Sequence, residues 1–144
     1  MTDDALTRLL ADTHHGVLVT LRPNGRPQLS NVSHTYDPET RLVRVSVTDT
    51  RVKVRNVRRD PRASFHVTSR DFWRWAVGDG IAELTPVAAD PGDATVEELI
   101  EIYRAIAGEH PDWDDFRRAM VADRRLVLRL RVERIYGTAR PEDA

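Results

Sequence analysis

Between Gly16 and Leu84 the chain is largely a succession of short strand-like segments, several of them separated by brief turn signals and one showing clean alternation of apolar and polar residues. Side chains that alternate with a period of two mark strands, and turns this short join antiparallel neighbours. Leu42 to Val47 is the clearest case, with Val43, Val45 and Val47 set against Leu42, Arg44 and Ser46. Gly16 to Leu21 predicts a strand before it, and Asn24-Gly25 predicts a hairpin turn, because this pair tolerates positive φ. Gln28 to Tyr36 is the expected return strand, followed by a turn over Asp37 to Thr40. Ala63 to Thr68 and Phe72 to Leu84 are the next two strands, with Gly78 and Gly80 marking a bulge in the second.

Helical periods interrupt this pattern. Ala5, Leu6, Leu9 and Leu10 predict an opening helix over Asp3 to Ala11. Asp49 or Thr50 is the expected cap of a short helix that runs to Arg59 and is stopped by Asp60-Pro61. Thr95-Val96-Glu97-Glu98 reads as a capping box, opening a helix with Leu99, Ile102, Tyr103 and Ile106 on one face. Asp112 caps another helix, whose apolar side is Trp113, Phe116, Met120 and Val121. Leu126 to Tyr136 is the last strand. The sum is an α+β chain with about six antiparallel strands and peripheral helices, whose sheet must close or stack to hide its edges. At 144 residues one domain, 1–144, is the expectation.

The chain has no cysteine, which removes disulfides, thiolate metal sites and cysteine nucleophiles. The five histidines form no ligand spacing, so no metal is expected. No glycine-rich phosphate loop and no nucleophile elbow occur. Met1 to Asp12 lacks the basic and apolar blocks of a leader, and apolar runs are far shorter than a membrane span. The expectation is a cytoplasmic protein. A net charge of −1 argues against bulk attraction to nucleic acid or membrane.

The basic residues are nevertheless concentrated. Arg51, Lys53, Arg55, Arg58, Arg59 and Arg62 crowd one short helix, and Lys53 is the chain's single lysine. Arg51 and Lys53 fall at its first turn, where cations oppose the helix dipole and free N–H groups favour phosphate. That pattern fits an anion site or a solvated basic face. The stretch holds no aromatic residue to interleave with bases, so nucleic acid is disfavoured. Trp73 and Trp75 are two apart and share one face of the expected strand, as core, interface or ligand wall.

Three segments together resemble a known family: Gly25 to Val32, Arg51 to Ser64, and Gly108 to Phe116 with Ala119 to Val121 and Asp123 to Arg125. They look like the pyridoxamine 5'-phosphate oxidase-like, split-barrel flavin/deazaflavin oxidoreductases, and most like the actinobacterial B branch of probable F420-dependent enzymes. The resemblance spans nearly the whole chain. It implies a six-stranded antiparallel split β-barrel and a homodimer with cofactor sites in the clefts between subunits. It implies that Arg51, Lys53 and the helix around Asn56 hold the cofactor phosphate. Ser30, Asn31 and Ser46 would lie beside the ring system, and Trp73 and Trp75 would wall the partner's cleft. Arg55, Arg58 and Arg59 suit the acidic tail of coenzyme F420, because guanidinium forks bind carboxylates bidentately. The implied activity is hydride transfer between F420 and a small conjugated or unsaturated substrate, with an FMN oxidase or a non-catalytic carrier as alternatives. No catalytic acid is identified; His34 and Tyr36 are candidates by position, and Arg74 and Arg104 are candidates to meet an anionic substrate.

Overall fold

The computed structural model describes residues 2–140; the outer ends of the expected 1–144 domain lie outside the described residues. Among these, four helices and seven strands follow the order α1 (Thr2–Asp12), β1 (His15–Leu21), β2 (Pro27–Ser33), β3 (Thr35–Asp37), β4 (Leu42–Thr48), α2 (Val52–Arg59), β5 (Arg62–Thr68), β6 (Trp75–Leu84), α3 (Ala94–Ala107), α4 (Trp113–Ala122) and β7 (Arg125–Thr138). All strands join one antiparallel sheet in the order β2-β1-β5-β6-β7-β4-β3.

The count of six is corrected to seven because the expected strand from Gln28 to Tyr36 divides at His34. Before His34 the chain pairs with β1; after it, Thr35 pairs with Arg44 of β4. The two outermost strands are thus consecutive in sequence, and one residue joins them. That connection forces the sheet to curl into a half-barrel. His34 is fully buried at the junction, with its amide on the His14 carbonyl at 2.9 Å and its Nε2–H on the Leu10 carbonyl at 3.0 Å.

The curl encloses an apolar core. Val43, Val45 and Val47 of β4, Leu126, Leu128 and Leu130 of β7, Leu18 and Phe65 point inward and meet Leu6 and Leu10 of α1 and Val54 of α2. Each such side chain contributes about 1.5–3 kcal/mol through loss of apolar surface from water. Val127 faces the other way and packs under α3 and α4 with Val96, Leu99, Ile100 and Phe116. The bulge expected at Gly78 and Gly80 of β6 lies instead in its partner: Asp79 pairs with Arg134 and Gly80 with Val132, so the extra residue is Glu133 of β7.

Three local expectations are corrected. Asp93, not Thr95, caps α3, its carboxylate accepting the Val96 amide at 2.9 Å, while the Thr95 hydroxyl donates to the Pro86 carbonyl. Neither Asp49 nor Thr50 caps α2; Arg51 occupies the cap position with no side-chain cap bond. Strand β6 begins at Trp75 rather than Phe72, because Ser69 closes a turn on Arg74, amide to carbonyl at 2.7 Å. No described helix is long and apolar enough to cross a membrane.

Candidate functional site

The outer face of the curled sheet carries a groove built from alternate residues of its strands. On β2, Asn31 and Ser33 stand opposite Val17 and His15 of β1. On β4, Ser46 and Thr48 alternate with the buried Val45 and Val47, so their polar ends face outward. Helix α2 starts directly after this strand, with the Arg51 amide bonded to the Thr48 carbonyl at 3.0 Å, and delivers Arg51 and Lys53 to the groove's end. Ile102 and Ile106 of α3 form the opposite wall, and Arg125 enters from the first residue of β7 beside Thr48. The enclosed space is about 510 Å³. A second hollow of about 550 Å³, lined by His15, Val17, His66 and Thr68, shares Asn31, Val32 and Ser33 with it. The two form one continuous channel along β2.

The electrostatics of the first hollow are one-sided. Arg51, Lys53 and Arg125 line it, and no acidic residue does. Burial holds the Lys53 ammonium below its ordinary pKa, and the neighbouring Arg51 and Arg125 charges lower it further. Asp49, the nearest candidate for neutralising them, is engaged by Arg58 at 2.8 Å and Arg124 at 3.0 Å. Arg125 donates a long 3.4 Å hydrogen bond to the Ser46 hydroxyl, and its Nε is buried without any partner. A buried N–H left unpaired is costly, so Arg125 is held here at some expense of stability. Three cations, hydroxyls and an uncapped helix start are a donor set that fits a phosphate. At the other end, burial lowers the pKa of His66, whose ring lies 6.0 Å from that of Trp75.

Asn31, Ser46, Arg51 and Lys53 are therefore brought together as expected from the sequence. The others are not. Ser30 points to the opposite face from Asn31 and exchanges hydrogen bonds with Gln28. Asn56 is buried beneath α2, where its Nδ2 donates to the Thr20 hydroxyl at 3.0 Å and its Oδ1 accepts from Arg59 at 3.0 Å. Arg55 is exposed on α2 and outside the lining, Arg58 holds Asp49, and Arg59 donates to the Leu21 carbonyl. Trp73 and Trp75 do not share a strand face: Trp73 sits in the turn, 57% exposed and edge-on to Phe72, while Trp75 packs between His66 and Tyr136. His34 and Tyr36 are buried away from the groove. Burial drops the pKa of His34 to about 4 and pushes the Tyr36 hydroxyl up. Arg104 stacks on Trp113 and pairs with Glu109.

Arg125, Ser33, Thr48 and His66 are groove residues that the sequence pattern did not single out. Arg125 adjoins the expected start of the last strand, but its place depends on the register that sets it opposite Thr48.

Comparison with known proteins bears on this geometry. A family model described as pyridoxamine 5'-phosphate oxidase matches residues 2–139. An F420H(2)-dependent biliverdin reductase of Mycobacterium tuberculosis (strain CDC 1551 / Oshkosh) is 30% identical over 140 residues, covering 96% of this chain and 89% of that protein. A solved structure named F420 reductase superposes with a TM-score of 0.67 at 26% identity, covering 90% of this chain and 94% of the other. A FAD-binding protein from Mesorhizobium loti shares the fold, with a TM-score of 0.68 at 16% identity over 95% of this chain and 92% of its own.

Proposed function

The chain belongs to the pyridoxamine 5'-phosphate oxidase family, and from that premise we propose that it is an oxidoreductase that binds coenzyme F420 in the groove along β2. The observation that carries the proposal is the set of Arg51, Lys53 and Arg125 around one hollow without a carboxylate among them. These three hold the cofactor phosphate. Asn31, Ser33, Ser46 and Thr48 hydrogen-bond along the cofactor, and the Val17 and His66 end receives the ring. When bound, the deazaflavin supplies a hydride to a small conjugated or unsaturated acceptor. The choice of F420 over FMN is supported by the relatives named for F420.

The groove is open on its outer side, and the same surface exposes Leu29 at 60%, Phe72 at 64%, Trp73 at 57% and Tyr136 at 40%. Rings and aliphatic chains this exposed favour coverage by protein. A second copy of the chain closes the cleft in this proposal, with the partner contributing its turn and the start of its β6 as a wall that excludes water.

Fluorescence titration of the purified protein with F420, run in parallel with FMN, tests the cofactor. Saturable F420 binding with clearly weaker FMN is the expected result. Tighter FMN binding moves the protein to the flavin side of the family, and binding of neither removes the proposal.

A further inference from the structure

A second concavity of about 490 Å³ lies between α1 and the turn joining β5 to β6. Three arginines line it: Arg8 from α1, and Arg70 and Arg74 from the turn. None of the three forms an ion pair with a described side chain. The turn that presents two of them is tightly built. Besides the closure of Ser69 on Arg74, the Arg74 amide donates to the Ser69 hydroxyl at 3.1 Å, and the Phe72 amide donates to the Ser69 carbonyl at 2.9 Å. Phe72 holds a φ of 81°, a left-handed conformation that a bulky aromatic residue rarely adopts. The nearest acid in sequence, Asp71, makes no ion pair with Arg70 or Arg74; its carboxylate accepts from the Ser69 hydroxyl, and the Arg74 charge helps hold it below its ordinary pKa. The fold thus places a strained residue and a buried serine in the turn that presents two arginines to the pocket.

The position of this concavity is as informative as its charge. Thr13 and Ser69 line it, while His15 and Thr68 line the groove, so the two adjoin at the end of the groove away from Arg51, Lys53 and Arg125. We propose that the pocket between α1 and the Ser69–Arg74 turn is a carboxylate site, the subsite for an organic anion that serves as substrate. Guanidinium forks bind carboxylate and phosphate alike, but the surroundings discriminate. The pocket takes its helical lining from residues 5–12 of α1, towards the negative end of the helix dipole, and Asp12 lies on its rim. That field opposes any anion, so binding rests on the three guanidinium forks, whose presentation from two separate elements suits the spaced planar carboxylates of one organic anion better than a single compact phosphate. The substrate role rests on the cofactor reading of the groove; the carboxylate site does not.

The test is calorimetric titration of the full-length protein with citrate and, separately, with inorganic phosphate. Wild type is expected to bind citrate more tightly than phosphate. The exposed double variant Arg70→Gln/Arg74→Gln is expected to weaken citrate at least about tenfold. Arg70→Lys/Arg74→Lys, which keeps the charge and loses the fork, is expected to recover citrate binding only in part. Citrate binding that survives the double glutamine variant, or that is lost with Arg51→Gln/Lys53→Gln, overturns the site. Phosphate binding tighter than citrate overturns the carboxylate assignment, and loss of F420 binding in the Arg70/Arg74 variant overturns the substrate role in favour of the cofactor's acidic tail. If wild type binds neither cofactor while citrate follows the expected pattern, the carboxylate site stands and the cofactor reading alone falls.

Discussion

Arg125 lines the groove beside Arg51 and Lys53, while its buried Nε has no hydrogen-bond partner, an arrangement that costs stability. Arg125→Gln is therefore expected to weaken F420 binding by an amount comparable to Arg51→Ala or Lys53→Ala, about 1.5–3 kcal/mol or roughly ten- to a hundredfold. The same variant is expected to keep or raise the melting temperature, since the unpaired guanidinium is gone. Calorimetric titration and thermal melting of one preparation check both halves. His34 gives the opposite kind of prediction. Its pKa falls from 6.5 to about 4 chiefly through burial, with the neighbouring His14 and His15 lowering it further. The folded state thus favours the neutral ring, so its contribution is full above pH 6.5 and is lost as pH falls from there towards 4. Urea unfolding at pH 7.5 and 4.5 is expected to show a loss larger by about 2–3 kcal/mol in wild type than in His34→Gln, which keeps a donor for the Leu10 carbonyl but does not titrate.

Among the elements, β7 bulges at Glu133, which is extra between the partners of Asp79 and Gly80 of β6. A Cβ on Gly80 would lie 1.8 Å from the Arg131 carbonyl oxygen, so backbone must move to admit it. Gly80→Ala is expected to destabilise by at least about 2 kcal/mol, whereas Gly78→Ala, whose added Cβ meets Val132 methyl groups at 3.0 Å, costs less. Chemical denaturation of the two variants decides it. Most strands and helices were legible from the sequence because their cause is local: Asn24-Gly25 turns the first hairpin, valine alternation makes β4, and Asp112 caps α4 through the Asp115 amide. The division at His34 was not, since no Gly or Pro interrupts Gln28 to Tyr36 while the partner changes from β1 to β4. Trp73 misled for a related reason: its strand propensity is real, but the hydrogen bonds of Ser69 to Arg74 outweigh it. At the site, Arg51 and Lys53 announce themselves as neighbours on a helix start. Arg125 joins them only through the pairing of β7 with β4, and Asn56, close to them in sequence, turns inward to Thr20.

For the whole molecule, the exposed Leu29, Phe72, Trp73 and Tyr136 lead to an expected sedimentation mass of twice the chain. Leu29→Glu sets a charge on that face without touching the groove lining, and is expected to give a monomer with reduced F420 affinity. A wild-type monomer that binds F420 at full strength removes the second copy from the proposal. The single-residue join at His34 has a consequence for thermodynamics. It ties the strand carrying Asn31 and Ser33 to the sheet edge beside the strand carrying Ser46 and Thr48. Their separation is therefore limited by a one-residue link and the short β3–β4 ladder, which allow less opening than a long loop would. A ligand entering such a groove has little chain to order, so its binding entropy is spared much of the loss that accompanies induced closure.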